Sequence, residues 1–315
     1  MASITVVLPT YRRPEGLGRA LRALAAQHDP GVPWELLVVD NDDGPQAAAV
    51  FEAHRRRLPV AASLVHEASP GATPARNAGI ERASGDICVF IDDDVVPEDC
   101  WLARLVAPMI TGAADAAGGP VSLDPAVGLP HWLGPDWLGY LANYDRGAEQ
   151  HLLAGDVFGV TANAAFRTHT LRALGGFDEA LGPRRGSPLV NDDLDLCRRV
   201  AAAGGRIVYV PDAVVVHDVP AHRLTPRYML RRAYAQGRSD WLLNRTRNSG
   251  RPLGGAQGIV VHAERLLADR VRDGLWHPDV AMGAALALAV AAGGLREAAV
   301  AVWHRSLKQS SSLNR

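Results

Sequence analysis

The chain has 315 residues, 48% of them hydrophobic and 21% charged, with 33 Lys and Arg against 34 Asp and Glu. That composition excludes a disordered segment, which needs low hydrophobicity and high net charge, and the length allows a sizeable core. A net charge of -1 lacks the basic surplus of a nucleic-acid binder, so no nucleic acid is expected as partner.

Short β-branched runs alternate with helical patterns through the first 120 residues, which predicts a mostly parallel α/β sheet flanked by helices. Ile4 to Leu8 is the first strand, ended by Pro9-Thr10, and Leu17, Ala20, Leu21 and Leu24 recur at helical spacing. A second strand from Leu36 to Val39 runs into Asp40-Asn41-Asp42-Asp43. A helix over 46–57, a strand over 60–65 and a helix over 74–83 follow. Ile87 to Ile91 is the fourth strand and delivers the chain into Asp92-Asp93-Asp94.

The pattern then loosens. Residues 124–150 read as an excursion containing Trp132, Trp137, Tyr140 and Tyr144. Phe158 to Phe166 reads as a strand, Leu171 to Leu174 as a short helix, and 192–203 as a helix stopped by Gly204-Gly205. Strands over 206–210 and 213–217 precede a region of helices from Pro226 onward. The expected organisation is an α/β half over 1–123, a second half of the same domain over 124–245, and a C-terminal helical extension with a polar tail over 246–315. Val280 to Leu295 is an apolar stretch of 16 residues, short of the roughly 20 needed to span a bilayer. A buried helix or a membrane-surface contact is expected there.

Cysteines Cys88, Cys100 and Cys197 are odd in number and lie outside CxxC or metal-ligand spacing, the usage of a reduced, cytoplasmic protein. The opening residues carry no basic leader, so no signal peptide is expected. Lys308 is the only lysine. A GxxxxGK[ST] phosphate loop and an internal Schiff-base lysine therefore have no candidate.

Ligands of open α/β sheets bind outside the carboxyl ends of the strands. Pro9-Thr10-Tyr11-Arg12-Arg13, Asp40-Asn41-Asp42-Asp43 and Asp92-Asp93-Asp94 all follow strands. Two acidic clusters at one sheet edge repel unless compensated, and Mg²⁺ or Mn²⁺ shared with substrate phosphates is a natural partner. The alternative is that these acids cap helices or form Asx turns. An aspartate nucleophile of the haloacid-dehalogenase type would also suit Asp92-Asp93-Asp94, but that chemistry wants a downstream cation such as lysine. Asn191-Asp192-Asp193-Leu194-Asp195 fits a helix cap with acids in the first turn. On that helix Asp192 and Asp195 share a face, with Asp193 about 100° away. His217, closing an apolar strand, reads as structural or as a nitrogen ligand. The arginines Arg223, Arg227, Arg231, Arg232, Arg238, Arg245 and Arg247 form either a solvated face or a contact for a diphosphate or an anionic membrane.

Taken in order, these segments resemble the family 2 glycosyltransferases, whose GT-A fold binds a nucleotide sugar. Val7-Leu8-Pro9-Thr10-Tyr11-Arg12-Arg13 is similar to the opening "PTYNR" segment, with Arg12 where Asn is common. Val38-Val39-Asp40-Asn41-Asp42-Asp43 resembles "VVDDGS", with Asn41 replacing the second Asp. Gly71-Ala72-Thr73-Pro74-Ala75-Arg76-Asn77-Ala78-Gly79-Ile80 is similar to "GxxxARNxGI", and Phe90-Ile91-Asp92-Asp93-Asp94 to "FxDxD". Gly175-Gly176-Phe177-Asp178-Glu179 followed by Asp192-Asp193-Leu194-Asp195-Leu196 resembles "GGFDE…EDxDL", with Asp192 where Glu is usual.

The resemblance covers residues 3–240 and implies an inverting transfer of a sugar from a nucleotide-diphosphate donor to an acceptor hydroxyl. It implies donor contacts from Pro9, Thr10, Tyr11, Arg13, Asp40, Asp42, Arg76, Asp92 and Asp93. It places a divalent cation, Mn²⁺ or Mg²⁺, at Asp94 and His217, and the general base at Asp193. Trp132, Trp137 and Asp192 are candidate acceptor contacts, since aromatic rings stack on sugar faces as well as packing in cores. The acceptor class stays open between a glycan, a lipid-linked and a small-molecule hydroxyl. A cytoplasmic enzyme, peripheral at the inner membrane face through its C-terminal region, is the expected setting. The alternatives are a GT-A-like sugar-nucleotide-binding protein without transferase activity and a nucleotidyltransferase. The latter lacks its glycine-rich N-terminal loop and lysine here.

Overall fold

The computed structural model describes residues 2–153, 160–183, 188–247 and 278–313. The chain forms two compact units: Met1–Val127, Ala142–Ser187 and Asp192–Val219 in the first, and Gly128–Leu141, Pro188–Asn191 and Pro220–Arg315 in the second.

The first unit is built on strands β1 (Ile4–Thr10), β2 (Trp34–Asp40), β3 (Ala61–His66) and β4 (Ile87–Ile91), which pair in parallel in the spatial order β3-β2-β1-β4. All seven residues of β1 and all five of β4 are buried, as expected for parallel strands covered on both faces. Side chains alternate between two cores with the strand period of two. Val6, Leu8, Val38, Val89 and Ile91 join the core containing helices α1 (Pro14–Ala25), α2 (Gln46–Arg55) and α4 (Trp101–Ile110). Val7, Leu37, Val39, Cys88 and Phe90 join the one containing α3 (Ala72–Arg82), α5 (Thr168–Ala173) and α6 (Asp192–Ala202).

The sheet continues beyond β4 through β9 (Asn163–Arg167), β6 (Ala116–Gly118), β10 (Ile207–Tyr209) and β8 (His151–Leu153), giving eight strands among the described residues. β9 runs antiparallel to both β4 and β6, β10 pairs in parallel with β6, and β8 runs antiparallel to β10, so the second half of the sheet is mixed. A second sheet of three strands places β11 (Val215–His217) between β5 (Val95–Pro97) and β7 (Val121–Leu123). Buried Asn163 ties the layers: it accepts from Trp101 Nε1 at 2.7 Å and donates to the carbonyls of Pro120 and Ala213 at 2.8 and 2.6 Å.

Several expected elements are redrawn. β1 runs through Pro9 to Thr10, because its ladder with β4 ends at Val7↔Phe90 and the missing proline N–H breaks nothing there. The strand read as Phe158 to Phe166 is the shorter β9; Phe158 lies outside the described residues. The 124–150 excursion contains a 3₁₀ helix, Pro135–Leu141, and ends just before β8.

In the second unit, α7 (Pro226–Arg247) packs on a C-terminal helix, Pro278–Leu313. The contact is backbone to backbone: a Cβ on Gly237 would lie 1.8 Å from the carbonyl oxygen of Val290, and one on Gly293 2.0 Å from that of Tyr234. The expected apolar stretch of 280–295 is extended here. A 20-residue window, Met282–Ala301, has a mean hydropathy of 1.5 and is long and apolar enough to cross a membrane by length and composition, with 39% of it buried. Glu297, inside this window, is buried and accepts from Arg238 Nε at 2.6 Å. Residues 248–277 of the expected extension lie outside the described residues.

Candidate functional site

The parallel order β2-β1-β4 brings three strand ends to one edge of the first unit. Thr10 stands opposite Asp40 in the β1–β2 register, and β4 ends at Ile91, just before the three aspartates. Thr10, Arg12, Arg13, Asp40, Asp42 and Gly44 line a recess at this edge.

Each aspartate after β4 has a different environment. Asp92 accepts two bonds from Arg76 Nη2, at 3.1 and 3.2 Å. Asp93 is buried and accepts from Thr10 Oγ1 at 2.8 Å and Arg13 Nη1 at 3.0 Å. Asp94 accepts from the same Arg13 nitrogen at 2.6 Å, and its Oδ2 lies 3.4 Å from His217 Nε2. The small sheet makes that meeting: β5 follows Asp94 directly, and its Val95 is registered opposite His217 in β11. The backbone also approaches α1 closely, since a Cβ on Gly16 would lie 2.4 Å from the carbonyl oxygen of Asp93.

Burial, the largest influence, pushes the Asp93 carboxyl up to about 6, with Arg13 and Thr10 acting in the opposite direction. An unfolded Asp titrates near 3.9, so between about pH 4 and 6 the folded chain holds more proton at this site than the unfolded chain. Through this group alone, stability rises as pH falls across that window. The stability of Asp93→Asn minus that of the native chain should therefore be larger at pH 7 than at pH 4. Urea unfolding at the two pH values checks this, and a difference independent of pH would contradict it.

Arg76, on α3, is buried and bridges two elements. Its Nη2 binds Asp92, and its Nη1 lies 3.4 Å from Asp192 Oδ2 at the start of α6. Burial disfavours its charge, but Asp92 and Asp192 outweigh that and raise its pKa above the ordinary value. Its Nε is a buried donor without a partner. Thr73 Oγ1 donates to the same Asp192 oxygen at 2.8 Å. A Cβ on Gly182 would lie 1.8 Å from Thr73 Oγ1 and 2.8 Å from Asp192 Oδ2, so the glycine makes room for this pair. Asp192 is only 2% exposed, and both contacts hold it as an internal counter-ion. Asp193 is half-buried, and its Oδ1 accepts the Leu194 N–H at 2.8 Å.

The remaining residues also have definite places. Asn41 donates to the carbonyls of Glu67 and Ser69, each at 2.7 Å, and accepts from Gly71 N–H at 2.7 Å. An aspartate could not make those donations. Asp40 is buried, which raises its pKa, and its carboxylate accepts the Asp42 N–H at 3.1 Å. Tyr11 is 46% exposed, with the Arg12 guanidinium 5.0 Å from its ring centre, and Arg12 Nε donates to Asp42 at 2.9 Å. Asn77 clasps the backbone of Phe177, donating at 3.0 Å and accepting at 2.8 Å. Asn77, Thr73 and Gly16 were not singled out from the sequence. The only sequence signal for the first two was their place in the Gly71-to-Ile80 motif.

In the second unit Trp132 is half-buried, while Trp137 is buried against Tyr140, with ring centres 5.5 Å apart. The arginine-rich run divides its contacts: Arg238 pairs with Glu297, Arg232 donates to Gln236 at 2.8 Å, and Arg245 lies over Trp241. Among the described residues no group of three or more His, Cys, Asp and Glu converges to hold a metal ion.

Carboxylates and guanidinium groups at the carboxyl edge of parallel strands define an open α/β protein of the kind that takes its ligand at that edge. The chain belongs to the glycosyltransferase-like family 2, whose profile matches residues 2–239, and it is a glycosyltransferase. It is 31% identical over 239 residues to the succinoglycan biosynthesis protein ExoM of Rhizobium meliloti, a match covering 75% of this chain and 73% of ExoM. It is 29% identical over 267 residues to the pre-mycofactocin glycosyltransferase of Mycobacterium tuberculosis, covering 79% of this chain but 49% of that protein. Solved structures share the GT-A fold. TarS 1–349 of Staphylococcus aureus in complex with UDP superposes with a TM-score of 0.52 at 19% identity, covering 92% of this chain and 89% of that one. The mannosyltransferase PcManGT of Pyrobaculum calidifontis in complex with GDP-Man and Mn²⁺ gives 0.52 at 22% identity, covering 98% and 79%.

Proposed function

We propose that the chain is an inverting, cation-dependent glycosyltransferase that moves a sugar from a nucleoside-diphosphate donor to an acceptor hydroxyl. The observation that carries this reading is the edge formed by Thr10, Arg13, Asp40 and Asp92 to Asp94, with His217 3.4 Å from Asp94. Structural neighbours holding UDP, or GDP-Man with Mn²⁺, support it.

Pro9, Thr10, Tyr11, Asp40 and Asp42 face the nucleoside part of the donor, and Arg13 faces its diphosphate. Arg76 fixes Asp92 against the donor. A carboxylate oxygen and an imidazole nitrogen suit Mn²⁺ or Mg²⁺, so Asp94 and His217 are the residues that would hold the cation. When bound, it supplies neutralisation of the leaving diphosphate. Asp193 takes the proton of the acceptor hydroxyl as that oxygen bonds to the anomeric carbon. The bond to the diphosphate breaks on the opposite face, and its electron pair leaves with the phosphate oxygen. No enzyme nucleophile is needed.

The acceptor hydroxyl belongs to a glycan, a lipid-linked or a small-molecule compound, and the apolar window Met282–Ala301 supports a peripheral membrane contact. The test is release of nucleoside diphosphate from UDP-, GDP- and dTDP-sugars, with anomeric configuration read by NMR. The expected product has inverted configuration. Retention would overturn the mechanism, and release of pyrophosphate from a nucleoside triphosphate would replace it with nucleotidyl transfer.

A further inference from the structure

We propose that Arg13 is a displaceable counter-ion of Asp94, which competes with the divalent cation until the donor diphosphate takes the guanidinium. This rests on the cation site proposed above. A single nitrogen of Arg13, Nη1, reaches Asp93 Oδ1 at 3.0 Å and Asp94 Oδ2 at 2.6 Å. That Asp94 oxygen is the one facing His217 Nε2, so Arg13 stands on the very atom that a cation held between Asp94 and His217 must use.

Two positive charges on one carboxylate oxygen repel strongly in a partly buried site, where screening is weak. Cation and guanidinium are therefore alternatives at Asp94. The Arg13 side chain is 38% exposed and lines the same recess as Thr10, Asp40 and Asp42. A diphosphate in that recess offers a guanidinium a bidentate partner with more charge than one carboxylate. Donor binding then releases Asp94 to the cation as Arg13 moves onto phosphate. By linkage, each of donor and cation tightens the other's binding.

The experiment titrates the full-length protein with Mn²⁺ and reads free Mn²⁺ by electron paramagnetic resonance, with and without UDP or GDP. Without nucleotide, Arg13→Gln should bind Mn²⁺ about 10-fold tighter than the native chain, within the usual span of coupling energies. Arg13→Lys, which keeps the charge, should stay close to native. Arg13→Met serves as a second neutral variant, and circular dichroism checks that each is folded. Native-like or weaker Mn²⁺ binding by the folded neutral variants would overturn the competition. If the native chain takes up no Mn²⁺ even with UDP or GDP, the cation site itself is wrong. Tight Mn²⁺ binding with nucleotide in the native chain, alongside unchanged binding in Arg13→Gln without it, removes only the role of Arg13.

Discussion

Asp193→Asn should lower turnover by at least about 100-fold while leaving donor affinity within a few-fold of native. A positioned carboxylate accepting a proton in the transition state typically contributes about 10²–10⁴-fold. The carboxamide keeps the size of the side chain and can still accept the Leu194 N–H that holds Asp193 at the start of α6. The fold and the strand-end recess, formed by other residues, should be undisturbed. Steady-state rates with a donor and a matched acceptor, alongside calorimetric donor binding, separate the two effects. Equal losses in donor binding and turnover would make Asp193 a structural residue.

Arg76→Met should have the largest effect on stability. Arg76 is buried and pairs with Asp92 and with Asp192, which is 2% exposed. Removing one member of a buried ion pair leaves an uncompensated charge and costs about 3–5 kcal/mol. The double variant Arg76→Met/Asp192→Asn should recover part of that loss, because the orphaned charge is gone. Urea unfolding of the single and double variants gives the coupling directly. Additive losses would mean that the two side chains do not act as a pair.

What the sequence disclosed depended on the range over which each contact acts. β4 was readable residue for residue, because a buried run of five apolar residues bounded by aspartates leaves little choice. β5, β6, β7 and β8 have three residues each, too few to show alternation, and they are held by partners distant in the chain. The strand-end residues were recognisable because parallel pairing carries successive strands to one edge. The contacts of Asp192 were not, since its partners Thr73 and Arg76 lie 119 and 116 positions earlier. Asn41 is a similar case: its departure from the motif serves hydrogen bonds to Glu67, Ser69 and Gly71, 26 to 30 positions away, that an aspartate could not make in full.

The pairing of Glu297 with Arg238 in the second unit was equally hidden, since the two residues lie 59 positions apart.

On the proposed function, the Thr10–Asp40–Asp94 edge binds a nucleoside-diphosphate donor together with a divalent cation. Thermal unfolding of the native chain with UDP-, GDP- and dTDP-sugars, each with Mn²⁺, Mg²⁺ or EDTA, tests it most directly. A donor at about 100 times its dissociation constant adds roughly 2.7 kcal/mol, a visible rise in melting temperature. That rise is expected with one nucleotide class, present with the cation and lost with EDTA. A rise unaffected by EDTA would contradict the cation at Asp94 and His217, and no rise with any donor would contradict the donor site itself.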